Sequence, residues 1–323
     1  MEVTGRKLRI LITGGNGFVG SHVLESLVKK GNCEVGITLR TTSDTWRVNS
    51  MFTDDIERFF IDREGVETVI SRFKPDLVLH LAVLYKKRHT ASDIEEMFNS
   101  NITFPSKILQ AMVQNGVRFF INTGTFTEYS IQNRDLTVDA SILPSNLYSA
   151  TKIAFEDILK FYTKTYNINA ITLKLTSPYG PRDNTSKLIP YLMNCATSKK
   201  VANLSPGDQM WDYIYVKDVA EAYKSAIEYI VNSRESYDSF LIGSGESHSL
   251  KEIADIIKSF NGEFEINWSA VPYSEVETYY IRADITKARN TLKWWPKYTP
   301  IEGLRETYEY YRSAKKNDGE EGN

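Results

Sequence analysis

The chain has 323 residues, enough for one dinucleotide-sized α/β domain and a smaller partner, and its 41% hydrophobic content is that of an ordinary globular enzyme. Acids and bases nearly cancel at a net charge of −2, so no global field favours nucleic acid or an anionic membrane, and an anionic ligand must be held by local basic groups. Only Cys33 and Cys195 occur; they exclude a disulfide framework and lack metal-ligand spacing, so no metal site is expected.

Residues 1–7 are charged and lack the apolar run of a signal peptide, and no later stretch is apolar for long enough to cross a bilayer. A cytoplasmic location with no membrane partner is expected. An apolar strand over residues 9–13 then runs into Gly14-Gly15-Asn16-Gly17-Phe18-Val19-Gly20. Gly14 suits the tight turn, Gly17 the close approach of a pyrophosphate, and Gly20 the packing of the next helix, whose first N–H groups receive phosphate. Asn16, Phe18 and Val19 complete this cofactor-binding turn.

Further apolar runs at residues 34–39, 77–81, 119–123 and 170–175 alternate with stretches of helical period, which predicts a doubly wound parallel sheet of the Rossmann type. The second run ends in Arg40, and no acid follows until Asp44. An acid there accepts from the ribose hydroxyls of NAD, whereas Arg40 beside the hydroxyl of Ser43 suits a 2′-phosphate, so NADP(H) is the expected cofactor.

Two long amphipathic helices are predicted over residues 94–114 and 147–166, both with apolar positions to spare. The second carries Tyr148 and Lys152 one turn apart, so both side chains can face one ligand. Lysine's charge can lower the phenol's pKa while its ammonium holds ribose hydroxyls, leaving Tyr148 to exchange a proton with a substrate oxygen. After Pro178-Tyr179-Gly180-Pro181 the elements become shorter and more polar. Residues 1–176 are read as the cofactor domain, with 212–242 returning to it, and 177–323 as a smaller α+β substrate domain. The charged tail, 313–323, has nothing to bury and is expected to fray.

The Gly-x-x-Gly-x-x-Gly spacing with Phe18-Val19-Gly20 resembles the extended branch of the short-chain dehydrogenase/reductases, the NAD-dependent epimerase/dehydratase family, whose members mostly act on nucleotide sugars. The resemblance implies that Tyr148 and Lys152 are catalytic and that a hydroxyl residue upstream assists them. Aligning Tyr129 with the family's closing tyrosine selects Thr125, with Thr123 as the other choice. It also implies that Leu81 and Ala82 lie beside the cofactor, that Asp62 meets the adenine, and that Asn101, on the cofactor side, holds the active-site helix. Arg282 would bind the substrate's diphosphate. Ser177 stands where the family has a sugar-binding asparagine, and Trp211 where it has an arginine. The two long helices correspond to a four-helix interface, hence a homodimer.

Phe126-Thr127 replaces the acid pair that dehydratases carry after the catalytic threonine, so dehydration is not expected. Asn122-Thr123-Gly124-Thr125-Phe126 and Gly207-Asp208-Gln209-Met210-Trp211-Asp212 look most like abequose- and paratose-type synthases. That resemblance implies NADPH-dependent reduction of the 4-keto group of a nucleotide-linked deoxyhexulose, CDP-linked by preference. The alternative is a nucleotide-sugar 4-epimerase that retains NAD. A catalytically silent NADP sensor is a third class, and the intact Tyr148 and Lys152 speak against it.

Overall fold

The computed structural model describes residues 2–3, 6–53, 56–130, 135–261, 264–273 and 278–320. Seven parallel strands form the central sheet: β1 Arg6–Thr13, β2 Cys33–Leu39, β3 Ile56–Phe60, β4 Leu77–His80, β5 Phe119–Thr125, β6 Asn169–Leu175 and β7 Tyr237–Ile242. Their order across the sheet is β7-β6-β5-β4-β1-β2-β3, with the two-residue strand Glu2–Val3 antiparallel to β1. The order reverses beside β1, where Thr13 pairs with Thr38 on one side and His80 on the other. Ligand crevices of open α/β sheets form at such a switch point, beyond the carboxyl ends of the strands.

Both faces of the sheet are covered, which is why its strands read as nearly continuous apolar runs. Strand alternation sends Leu8, Ile10 and Ile12 into one core with α1 (Phe18–Lys30) and leaves Leu11 to the other with α2 (Val66–Phe73), α3 (Phe104–Asn115) and α4 (Leu147–Thr165). A third core holds α5 (Leu188–Ser198), α7 (Leu250–Asn261) and α8 (Pro300–Glu320); between them in sequence, α6 (Val216–Asn232) packs on the first.

Three local features differ from the sequence reading. Strand β3 was not predicted, because Glu57 and Arg58 interrupt an edge strand that buries only Ile56 and Phe59 well. The helix predicted over residues 94–114 is interrupted by a π-turn, Asn99–Thr103, before α3 begins, and this turn points Asn101 inward. The tail does not fray at Ser313: α8 continues to Glu320, anchored upstream by buried Tyr308 and Tyr311 and by Lys315 donating to the Asn194 carbonyl at 3.1 Å. A helix docked over several turns propagates into polar sequence at little cost. Among the described residues, no helix is long and apolar enough to cross a membrane, and no cluster of potential metal ligands occurs.

Candidate active site

The glycine turn is built by close approach. Gly14 has φ +72°, and a Cβ on it would lie 2.5 Å from the Ala82 nitrogen and 2.6 Å from the Leu81 carbonyl carbon. A Cβ on Gly20 would meet the Gly14 oxygen at 2.1 Å. The turn, the start of α1 and the Leu81-Ala82 segment are thus one close-packed cradle with no room for a side chain at Gly14 or Gly20. Gly17 N-caps α1 without a side-chain hydrogen bond, leaving the helix's first N–H groups for an anion. Asn16 spends its amide on the Asp44 carbonyl at 2.9 Å, tying down the loop after β2, while Phe18 and Val19 pack against the third core.

At the end of β2, Arg40 is exposed and its guanidinium has no partner among the described residues. The Ser43 hydroxyl accepts from the Arg40 N–H at 2.9 Å, closing a turn that aims both outward. Asp62 is near, but its carboxylate accepts from the Thr41 N–H at 3.0 Å and the Thr41 hydroxyl at 2.5 Å. These bonds hold its pKa below the usual carboxylate range. The acid shapes the loop beside Arg40.

The chemistry-bearing side chains gather where β5 meets α4. Asn146 N-caps α4, its side-chain oxygen accepting from Ser149 N at 2.9 Å, so that Tyr148 lies in the first turn at the sheet's carboxyl edge. Lys152 follows one turn later; it is only 3% exposed, and its ammonium has no hydrogen-bond or ion-pair partner among the described residues. Burial lowers its pKa from 10.5 to about 8. The Tyr148 phenol also lacks a hydrogen bond, and the Tyr85 ring stands edge-on to it at 4.9 Å.

A lysine-lowered phenol was expected, and the structure corrects this. Burial first, and the Glu128 carboxylate second, push Tyr148 up. The charge that acts on the phenol is an anion's, and it favours the protonated form.

Thr125 ends β5, and its hydroxyl reaches α4 through a short chain: 3.1 Å to the Thr127 hydroxyl, which lies 2.6 Å from that of Ser149. Thr123, the other choice, has its hydroxyl engaged, bonded to the His80 carbonyl at 2.9 Å and the Tyr223 hydroxyl at 2.5 Å. Asn101 uses both amide hydrogens, on the Leu84 carbonyl and the Thr151 hydroxyl at 3.0 Å each, while its oxygen accepts from Leu84 N at 2.8 Å. It binds α4 to the loop after Ala82, with its amide engaged in these internal bonds.

The opposite wall is organised by Asp212, a fully buried carboxylate. It accepts from Ser244 N at 2.6 Å, Ala283 N at 3.0 Å, Gly245 N at 3.1 Å and the Ser244 hydroxyl at 2.8 Å. Ser177 sits next to it on a short strand, its N–H donating to the Asp212 carbonyl at 3.2 Å. Arg282 is exposed and forms a two-pronged ion pair with Asp135, so binding a diphosphate would require exchanging one anion for another. Trp211 packs edge-on against Phe126 at 6.0 Å and donates to the Thr278 carbonyl at 2.7 Å.

Asn146, Thr127, Ser149 and Tyr85 were not singled out in the sequence. The Asn-x-x-Ser spacing before a helical run is a legible cap; the other three become neighbours only through the fold.

The fold is that of a known class of enzyme. Residues 10–243 match the model of the NAD dependent epimerase/dehydratase family, and the chain belongs to it. It is 26% identical over 314 residues to CDP-abequose synthase of Salmonella typhimurium, covering 94% of this chain and 98% of that one. It is 25% identical over 331 residues to UDP-glucose 4-epimerase of Lactobacillus helveticus, covering 96% and 98%. The fold superimposes with a TM-score of 0.83 on the crystal structure of Thermus thermophilus UDP-glucose 4-epimerase in complex with NAD, at 26% identity over 95% of this chain and 100% of that one.

Proposed function

We propose that the protein is an NADPH-dependent reductase of the 4-keto group of a nucleotide-linked deoxyhexulose, CDP-linked by preference. The observation that carries the reading is the end of β2, where Arg40 is unpartnered and the nearby acid, Asp62, is consumed by Thr41. The side-chain-free cradle at Gly14 and Gly20 and the orphaned ammonium of Lys152 fit a nicotinamide dinucleotide. Its chemistry, when bound, is hydride transfer.

The chain's own groups do the rest. The backbone at Gly14, Asn16, Gly17, Phe18 and Val19 receives the pyrophosphate, Leu81 and Ala82 flank the dinucleotide, and Arg40 with Ser43 engages the 2′-phosphate. Lys152 donates to the ribose hydroxyls. Tyr148 holds its proton firmly, as burial dictates, until a substrate oxygen of rising basicity takes it; the Thr125 hydroxyl donates to the same oxygen and fixes its position. Arg282 and Ser177 serve the sugar nucleotide. In the same reading, the exposed Ile94, Phe98 and Phe161 form the helical face that a second copy covers, and the enzyme works in the cytoplasm.

The similarity to UDP-glucose 4-epimerases supports a second reading, an epimerase with tightly held NAD. Cofactor stoichiometry separates the two. With a CDP-linked 4-keto deoxyhexulose, and then its dTDP-, GDP- and UDP-linked counterparts, one NADPH should be oxidised per product formed. Product without NADPH oxidation overturns the reductase in favour of the epimerase.

A further inference from the structure

Behind Thr125 lies a cluster of buried charge that the proposed chemistry does not use. Glu128 is 0% exposed and accepts on both oxygens: Oε1 from the Thr125 N–H at 2.8 Å, Oε2 from the Lys174 ammonium at 2.6 Å. Lys174, on β6, also meets Glu156 at 2.8 Å, and Glu156 lies one helical turn beyond Lys152 on α4. Lys160 caps the outer side of Glu156 at 3.0 Å. Gly124 makes room for the cluster, since a Cβ there would lie 2.9 Å from Lys174 Cγ and 3.1 Å from Glu128 Oε1.

We propose that the Glu128–Lys174–Glu156 cluster is a positioning and charge-setting device for the proposed reaction. Through Glu128 it fixes the strand end that carries Thr125; through Glu156 it ties that end to the helix that carries Tyr148 and Lys152. It also places one net negative charge in a low-dielectric wall behind them. The two donors reach different oxygens, which suits a glutamate: a glutamine in the same pose would turn its NH2 toward either the Thr125 N–H or the Lys174 ammonium.

The charges facing this site are few. Glu128, Tyr85 and Tyr223 act on the Tyr148 phenol across space, while at Lys152 Glu128 and Glu156 favour the ammonium and Lys174 opposes it, none of them in contact, and His80 is held neutral. Tyr129 lies under Lys174, its ring 4.8 Å from the ammonium, and Tyr237 borders Glu156. The acids favour the protonated forms of both Tyr148 and Lys152, and for a reductase that must deliver a proton this extends activity to higher pH.

The inference rests on the catalytic reading of Tyr148, so Tyr148→Phe runs beside it; near-normal turnover in that variant overturns the catalytic reading itself. With Tyr148→Phe inactive, Glu128→Gln should lower kcat about tenfold with little change in KM and move the alkaline limb of the kcat–pH profile down by about one unit. Glu156→Gln, which leaves Thr125 and Glu128 in contact, should move the limb the same way with a smaller loss of kcat. Glu128→Gln with Lys174→Met restores the net charge and frees the amide oxygen for Thr125, so the limb should return. Limbs that stay at the wild-type pH in whichever single variants fold, or that fail to return in the double variant, overturn the proposal.

Discussion

Lys174 and Lys152 lie in the same wall of the molecule, 2% and 3% exposed, on adjoining elements. Burial drives both ammonium groups toward the neutral form. For Lys174 the carboxylates of Glu128 and Glu156 reverse that and raise its pKa, whereas Lys152 has no acid in contact and falls to about 8. The difference separates two uses of a buried charge. One with a complete set of partners organises the fold. One without partners lowers stability for no internal return, and marks where a ligand supplies what the protein withholds.

The comparison breaks most readily at Lys174. Lys174→Met leaves two carboxylates buried without their shared cation and should destabilise the protein by about 3–5 kcal/mol in denaturant unfolding. A loss below about 1 kcal/mol would show that the acids neutralise freely, and the contrast with Lys152 would collapse.

Lys152 should behave in the opposite sense. Its folded pKa of about 8 lies below the ordinary 10.5, so between those values the unfolded chain holds a proton that the native chain has released. Unfolding free energy contributed by this group therefore rises with pH across that window, by about 3 kcal/mol in all, and below it the native state carries the full penalty. Lys152→Met should remove this slope and leave the cofactor-free protein more stable at pH 7 by about 1–3 kcal/mol, while weakening dinucleotide binding about tenfold or more. Melting curves from pH 6 to 10 on both proteins check it; parallel curves would mean that Lys152 finds a partner.

The same contrast explains what the sequence disclosed. Gly14, Gly17 and Gly20 were legible by their spacing, and at Gly14 and Gly20 a close approach admits no side chain; Tyr148 and Lys152 were legible because one helical turn relates them. Nearly continuous apolar runs announced five strands of the sheet, and residues 212–242 were expected to return to it, as the strand at 237–242 does, but the half-polar edge strand at residues 56–60 was not legible. Contacts made by residues far apart in the chain were hidden. Nothing in the sequence joins Glu128 to Lys174, and so nothing there showed that an acid, Glu128, would raise the phenol. Asp62 was read as an adenine contact by resemblance, while its bonds to Thr41 arise only when β3 lies beside β2.

Arg40 offers a third cation with which to sharpen the comparison, since it is unpartnered like Lys152 but exposed, and so carries little desolvation penalty. Its loss should leave stability nearly unchanged and act on binding alone. A guanidinium facing a 2′-phosphate makes charge-assisted hydrogen bonds that an NADH complex lacks. Arg40→Ala should therefore weaken NADPH by about 1.5–3 kcal/mol, roughly tenfold to a hundredfold, and hardly alter NADH. Titration of each cofactor by fluorescence or calorimetry, without substrate, reads this independently of turnover. Equal weakening of both would make Arg40 a support of the loop at Ser43, and tighter NADH binding by the wild-type protein would favour the epimerase reading, because Asp62 would then have to leave Thr41 for the ribose.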